Sequence, residues 1–210
     1  MTLYIGAEGM ALENKLGISD SSELARVEER ISKKNALQLF ESGVLDTLPP
    51  GTFSTLAEIH RSLFGDIYAF AGEIRTVNLA KNSFRFAPVL YLREALRNIE
   101  RMPQGSFDEI VEKYVEMNIA HPFREGNGRS MRIWLDHMFK HALGKVVDWN
   151  RVNEEDYLFA MERSPVRDTE IKHILKNALT ENVDDREIYM KGLDRSYAYE
   201  GYSAFRAEEL

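Results

Sequence analysis

The chain has 210 residues, 44% of them hydrophobic and 29% charged, which predicts one globular domain with at most an appendage. It contains no cysteine, so disulfides, thiolate metal sites and thiol catalysis are excluded. Its formal charge of −7 argues against nucleic acid as the main ligand, because such binders carry a basic excess. The sequence also lacks a membrane-spanning apolar segment and a signal-peptide pattern, so we expect a cytoplasmic protein without a membrane partner.

Apolar residues recur mostly at helical spacing, which predicts an all-α fold built as a helical bundle. One of the two strongest patterns begins at residue 107, where Ser106 and Glu109 form a capping box. The other carries a wide apolar stripe from Met131 to Ala142, which predicts a helix near the centre of the core. In chain order, the predicted helices cover residues 21–42, 53–64, 89–101, 107–118, 131–142, 154–163 and 168–180.

Two segments depart from this pattern. Over residues 74–88, apolar and polar residues roughly alternate on either side of the polar residues 81–83, which predicts a small β-hairpin; an irregular loop is the alternative. Residues 194–210 follow a polar stretch rich in Asp and Glu, and we expect them to form a separate C-terminal helix. The chain is therefore predicted to consist of a main domain over residues 1–193 and this C-terminal helix.

The loop between the two strongest helices, residues 121–132, reads HPFREGNGRSMR. Gly126 and Gly128 flank Asn127, and their conformational freedom lets successive backbone N–H groups point into one concavity. The next helix begins there, so the positive end of its dipole adds to that concavity. The segment therefore predicts an anion site of the kind that binds phosphate.

Charged side chains in this loop suit the same ligand. Arg129 and Arg132 are three residues apart, so both would project from one side of the first helical turn toward phosphate oxygens. Glu125 would repel the phosphates unless a divalent cation lies between them, which predicts Mg²⁺ held by one carboxylate and the phosphates. His121 is a candidate general base, because histidine has the ordinary pKa nearest neutrality. A lone histidine or a lone Gly-x-Gly is more often structural, but their combination with these charges favours catalysis.

The segment resembles the motif of the Fic family, H-x-F-x-[DE]-G-N-G-R-x-x-R, and matches all eight of its specified positions. Residues 63–75 are also similar to the family's approach to its flap, which is the hairpin over residues 74–88 in this chain. The resemblance covers residues 50–180 and implies a helical Fic fold. It also implies a nucleotidyltransferase that transfers AMP from ATP to a hydroxyl side chain of a target protein.

The same resemblance implies roles for individual residues. His121 resembles the base that deprotonates the target hydroxyl, and Glu125 resembles the ligand of Mg²⁺. Asn127 resembles the contact to the α-phosphate, while Phe123 resembles the anchor that fixes the loop in the core. Lys81 in the flap is either a phosphate contact or an exposed turn lysine. The residues that resemble the anion hole and the clamp on the β- and γ-phosphates are Gly126, Asn127, Gly128, Arg129 and Arg132.

The C-terminal segment SYAYEG, residues 196–201, resembles the motif [ST]-x-x-x-E-[GN] with which Fic proteins block their own ATP site. Its position implies the single-domain type that is inhibited in cis, with Glu200 paired to Arg132 against the γ-phosphate. A solvated helix end is the alternative. If this segment swings out, Tyr197 is the residue we expect to be self-modified. The inhibitory residues implied by the motif are Ser196, Glu200 and Gly201.

Other functions remain open from the sequence. Glu200 could instead orient a water that removes AMP from a modified protein, or the chain could be a catalytically silent module that senses nucleotide. His137 and His141 are spaced as two zinc ligands on one helix face, but no third ligand is evident. The expected partners are ATP, a second copy of the chain and a target that adds a strand to the flap. Analogy with single-domain Fic toxins suggests a type II topoisomerase subunit as this target.

Overall fold

The computed structural model describes residues 11–81 and 84–210, so the first ten residues of the predicted main domain lie outside this description. The described part is mainly helical and contains two small antiparallel strand pairs, which confirms the predicted all-α class. Its α-helices are α1 (Ser21–Glu41), α2 (Phe53–Phe64), α3 (Val89–Glu100), α4 (Phe107–Ala120), α5 (Asn127–Leu143), α6 (Glu154–Arg163), α7 (Thr169–Ala178) and α8 (Arg186–Ala198). Its strands are β1 (Ala80–Lys81), β2 (Phe84–Arg85), β3 (Val146–Val147) and β4 (Leu179–Thr180). None of the described helices combines the length and the apolar character needed to cross a bilayer.

Helix α5 lies at the centre of the core and packs against α2 and α4, as its wide apolar stripe predicts. Trp134, Leu135 and Phe139 on this helix are completely buried. Removing one such side chain from water contributes about 1.5–3 kcal/mol to folding. The helix begins at Asn127, at the glycine turn where the sequence predicts its start, and the φ of 72° at Gly126 turns the loop into the helix.

Helix α4 has a distinct structure at each end. At its start, the predicted capping box is present: Glu109 N donates to Ser106 Oγ, and the Glu109 carboxylate accepts from Ser106 N. At its other end, His121 is the C-cap and has a left-handed φ of 49°, the one positive φ of a non-glycine residue in the described ranges. Such a conformation is unfavourable outside glycine and persists where neighbouring contacts fix it.

The predicted hairpin is present, but its strands are shorter than residues 74–88. The register of β1 with β2 places Ala80 opposite Arg85 and Lys81 opposite Phe84. The expected turn residues Asn82 and Ser83 lie outside the described residues. Before β1, the Asn78 side chain accepts a hydrogen bond from Val89 N at 2.9 Å and so ties the hairpin to the start of α3.

The structure corrects two expectations in the C-terminal half. The helix predicted over residues 194–210 is α8, which begins at Arg186 and ends at Ala198, so Glu200 lies beyond it. The helix begins early because the Asp185 carboxylate accepts hydrogen bonds from two N–H groups of the first turn. Strands β3 and β4, which pair antiparallel, were not predicted, since a strand of two residues shows no readable alternation in the sequence.

Helix α1 has a buried polar face that contacts the end of the chain. The polar residues on this face are Glu28, Glu29, Ser32 and Lys33, each at most 2% exposed. Lys33 Nζ donates to Glu29 at 3.0 Å, to Asp194 of α8 at 3.0 Å and to the Phe205 carbonyl at 2.6 Å. These bonds hold the segment that follows α8, which we call the tail (residues 199–210), against α1.

Candidate active site

A cavity of about 1070 Å³ opens between the α4–α5 loop, the flap and the tail. Known ligand pockets measure about 300–1,000 Å³, so this cavity has room for a nucleotide. Arg129, Ser196 and Tyr197 do not line it, although the sequence analysis placed them in the site. The predicted site residues that do line it are the loop residues 125–128 together with Lys81, His121, Arg132, Glu200 and Gly201.

The His121 imidazole lies at the wall of this cavity, beneath the flap. Its ring stacks on Phe86, with 3.7 Å between the ring centroids and 16° between the planes. Burial, and after it the positive charge of Arg75, lowers the pKa of His121 to about 3. The ring is therefore neutral at physiological pH and is able to accept a proton.

The N-terminus of α5 places backbone donors on the same cavity. The first hydrogen bond of the helix runs from Ser130 N to Gly126 O at 3.1 Å, so the N–H groups of residues 127–129 precede the helical ladder. A Cβ at Gly126 would lie 2.4 Å from the Phe64 ring, and the residue has a φ of 72°, so glycine is required here. These N–H groups and the helix dipole together suit an anion.

The Asn127 side chain closes the α4–α5 loop. Its Nδ2 donates to the Phe123 carbonyl at 2.7 Å and its Oδ1 accepts from Phe123 N at 2.8 Å. Phe123 is completely buried and stacks on His60 with 3.9 Å between the ring centroids, which agrees with its expected anchoring role. The side chain of Asn127 is thus engaged by the loop itself, and its contact with an α-phosphate stays a prediction.

Arg129 is buried among three carboxylates rather than projecting into the cavity beside Arg132. Its Nη1 donates to Glu28 at 2.6 Å, its Nη2 donates to Glu125 at 3.2 Å and its Nε lies 2.8 Å from Glu200. Burial alone would lower the pKa of Arg129, but Glu28 and Glu200 raise it well above its ordinary value. Arg129 is therefore always charged and fixed in place.

Glu28 is a site residue that the sequence analysis missed. It lies on α1, 101 residues before Arg129, and is 2% exposed. Its second carboxylate oxygen accepts a hydrogen bond from the Tyr68 hydroxyl. No local spacing links residues so far apart. The one available signal was a charged residue on the apolar face of a predicted helix.

Glu200 joins both motif arginines, whereas the resemblance implied a contact with Arg132 alone. Arg132 Nη2 donates to Glu200 at 2.8 Å, and Arg132 also donates to the Ser196 hydroxyl at 2.6 Å and carbonyl at 2.7 Å. Burial opposes ionisation of Glu200, but the two guanidinium groups together lower its pKa below the ordinary value. The expected contact between Glu200 and Arg132 is confirmed, and Ser196 supports it.

The tyrosines of the motif pack into the core. Tyr197 is completely buried, and the charged groups of Lys33 and Arg129 each lie 5.2 Å from its ring centroid. Its modification would therefore require the tail to leave. Tyr199 stacks on Tyr157 with 5.1 Å between the centroids. After them, Gly201 has a φ of 87°, which lets the chain reverse direction.

Among the described residues, the two histidines on α5 have no third side chain that could complete a metal site. His137 and His141 meet edge to face, with 4.5 Å between their ring centroids. No group of three or more histidine or acidic side chains in residues 11–81 and 84–210 could hold a metal ion. The pair therefore gives no support to a zinc site.

Comparison with known proteins identifies the family of this chain. The Fic/DOC family model matches residues 50–139. Over 165 residues the chain is 30% identical to "Probable protein adenylyltransferase y4lH" of Sinorhizobium fredii. This match covers 73% of this chain and 82% of that protein. It is 28% identical over 197 residues to "Protein adenylyltransferase VbhT" of Bartonella schoenbuchensis, covering 88% of this chain but only 40% of VbhT.

The fold is also similar to a solved structure, that of the BepC protein of Bartonella tribocorum with bound AMPPNP. The TM-score is 0.68 at 20% identity, and the match covers 84% of this chain and 96% of that chain. The chain belongs to the Fic/DOC family, which confirms the family and the fold predicted from the motif.

Proposed function

We propose that this chain is a protein adenylyltransferase, which transfers AMP from ATP to a hydroxyl group of a target protein. The observation that carries the proposal is the position of the neutral His121 ring on the same cavity as the N-terminal N–H groups of α5. A base and an anion site on one cavity are the two elements that this transfer requires. Two relatives with 28% and 30% identity are named as protein adenylyltransferases, which supports this activity.

In the proposed reaction, the target hydroxyl oxygen attacks the α-phosphorus of ATP. The new O–P bond forms as the bond from the α-phosphorus to the bridging oxygen of pyrophosphate breaks, and pyrophosphate leaves. A ring nitrogen of His121 takes the hydroxyl proton, and such general-base help contributes about 10²–10⁴-fold to the rate. The N–H groups of residues 127–129 and the Arg132 guanidinium stabilise the negative charge of the phosphates.

Glu125 fits the role of a Mg²⁺ ligand in this reaction. It lines the cavity, and its Oε1 accepts hydrogen bonds from Gly126 N at 3.0 Å and from Arg129 at 3.2 Å, which fixes the carboxylate. A single carboxylate combined with substrate phosphates is the usual way in which proteins hold Mg²⁺. Bound there, the ion would neutralise phosphate charge.

We also propose that Glu200 inhibits the enzyme from within the chain. Its carboxylate is paired with Arg129 and with Arg132, and Arg132 is the one of these two that lines the cavity and would meet the γ-phosphate. Its Oε1 would lie only 2.3 Å from a Cβ placed on Gly128, so it packs directly against the anion loop. Glu200 and a triphosphate therefore compete for the same groups, and the closed tail favours Glu200.

The experiment that tests both proposals compares the wild-type chain with Glu200→Gly and with the exposed-site control Glu209→Gly. Each protein is incubated with labelled ATP and cell lysate, or with a purified type II topoisomerase subunit. We expect Glu200→Gly to increase AMP transfer by 10-fold or more, about the effect of 1.4 kcal/mol, because it removes the competitor of the γ-phosphate. Glu209→Gly should behave as the wild type.

Two outcomes would contradict these proposals separately. If Glu200→Gly and the wild type transfer AMP equally well, inhibition by Glu200 is wrong and the enzyme assignment stands. If neither transfers AMP although both bind ATP, the chain is a nucleotide sensor. Removal of AMP has less support, because the Glu200 carboxylate that would orient the attacking water is paired with both Arg129 and Arg132. Loss of label from a pre-modified target would reverse that conclusion.

A further inference from the structure

The base of the flap caps the C-terminal end of α4. The last carbonyl groups of a helix lack helical partners. Here the four carbonyls of residues 119–122 all accept hydrogen bonds from two flap residues. Ala87 N donates to the carbonyl of residue 119 at 3.0 Å. Arg75 donates to the other three carbonyls: Nη2 to that of residue 120 at 3.1 Å, Nε to that of residue 121 at 2.7 Å, and the backbone N to that of residue 122 at 2.8 Å. The third of these carbonyls belongs to His121.

The same guanidinium holds both ends of the flap together. Arg75 Nη1 donates to the Val77 carbonyl before β1 at 2.7 Å, and Nη2 donates to the Ala87 carbonyl after β2 at 2.5 Å. Arg75 is 4% exposed, and no carboxylate of the described residues lies within ion-pair distance of it. Backbone carbonyls from the flap and from α4 therefore hold this buried cation.

We propose that Arg75 is a positioning residue, which fixes the imidazole of His121 relative to the flap so that a docked target hydroxyl meets the base. The inference rests on the proposed function. Two observations support it. Arg75 donates hydrogen bonds both to the flap and to the His121 carbonyl, and the unfavourable left-handed φ of 49° at His121 needs outside contacts to persist. Phe86 adds a contact from the flap, because its ring stacks on the His121 ring.

This arrangement has a specific consequence for target recognition. A target segment that pairs with an edge of the flap takes its position from β1 and β2. Since Arg75 links both ends of the flap to the His121 carbonyl, the register of that segment is transmitted to the base through one side chain. A merely structural arginine would instead affect folding, nucleotide binding and transfer together.

The test uses the full chain carrying Glu200→Gly and compares Arg75→Met, Arg75→Lys and the control Arg93→Met on the exposed face of α3. Arg75→Met keeps the length of the side chain but removes its charge and donors. We expect kcat for AMP transfer to fall about 100-fold, the effect of a displacement near 1 Å, with the KM for ATP unchanged. Arg75→Lys should recover part of kcat, because an ammonium replaces the charge but not the planar fork. Arg93→Met should leave kcat and KM unchanged.

A second readout does not depend on transfer. In Arg75→Met, amide hydrogen exchange should accelerate at residues 77–81 and 84–89 and at the end of α4, while α5 keeps its protection. If Arg75→Met does not fold, the same measurements on Arg75→Lys decide. Unchanged kcat with unchanged exchange overturns the inference, and so does an equal loss of kcat and ATP affinity. If the parent Glu200→Gly chain transfers no AMP, the proposed function fails, whereas the exchange data still decide the role of Arg75.

Discussion

Around Arg129, one positive charge is shared among three carboxylates. Glu28 and Glu125 belong to the domain itself, whereas Glu200 arrives with the tail and also engages Arg132. Glu28 and Glu125 already pair with Arg129, so under the proposed inhibition Glu200 is the carboxylate that an incoming phosphate group would displace. Arg129 then acts as a fixed support for the loop, and Arg132 is the one of the two motif arginines that lines the cavity.

Replacing the base should separate chemistry from nucleotide binding. In the Glu200→Gly chain, we expect His121→Ala to lower AMP transfer by about 10²–10⁴-fold, the usual contribution of a general base. ATP affinity, measured by calorimetry, should stay near that of the parent, because the N–H groups of α5 are unaltered. His173→Ala, an exposed histidine on α7, is the control. Loss of ATP affinity in step with transfer would mean that His121 is a structural residue.

Among the secondary elements, the tail is held by aromatic packing as well as by charge. Tyr199 lies between Trp149 and Tyr157, at centroid distances of 6.2 Å and 5.1 Å, and its hydroxyl donates to the Val152 carbonyl at 3.2 Å. The residue that follows is Glu200. The position of the Glu200 carboxylate therefore depends on the packing of the Tyr199 ring.

Removing the Tyr199 ring should loosen the tail. Tyr199→Ala removes a buried ring, and such truncations cost about 3–5 kcal/mol where the site cannot collapse. We expect Tyr199→Ala to raise AMP transfer and to expose residues 199–210 to limited proteolysis, while the exposed control Tyr91→Ala does neither. Increased proteolysis without increased transfer would show that tail position and inhibition are independent.

The elements also show which parts of the structure were readable in the sequence. The capping box at Ser106 and the apolar stripe of α5 are local patterns, and both were predicted correctly. The start of α8 and the pair of β3 with β4 were missed, because they depend on one capping residue and on a partner strand far along the chain. The contacts of Glu28 and Arg75 likewise join distant segments, so spacing could not reveal them.

For the molecule as a whole, α1 connects the candidate active site with the tail. Its successive residues Glu28 and Glu29 serve different partners: the first binds Arg129, and the second binds Lys33. Lys33 in turn reaches Asp194 and the Phe205 carbonyl. Folding of the N-terminal helix, closure of the tail and placement of Arg129 therefore depend on one continuous buried polar face.

Removing the central cation of this face should destabilise the entire chain. Lys33→Met removes the buried cation that pairs with Glu29, and breaking a buried ion pair from one side costs about 3–5 kcal/mol. We expect that loss in the free energy of unfolding measured with urea. Lys34→Met, at the exposed neighbouring position, should change it little. Equal stability of the two variants would show that the Lys33 cluster contributes no net stability.

The capping of α4 by Arg75 and Ala87 also sets a rule for exchanging parts between relatives. A hairpin transplanted from another family member would bring its own specificity for targets, but it would fit only if both of its ends supplied the donors that those two residues provide. A graft confined to residues 80–85 would keep Arg75 and Ala87 of this chain and so respect this rule. A graft that also replaced Arg75 and Ala87 without supplying their donors would, on the proposed role of Arg75, bring a new docking edge with the histidine out of alignment.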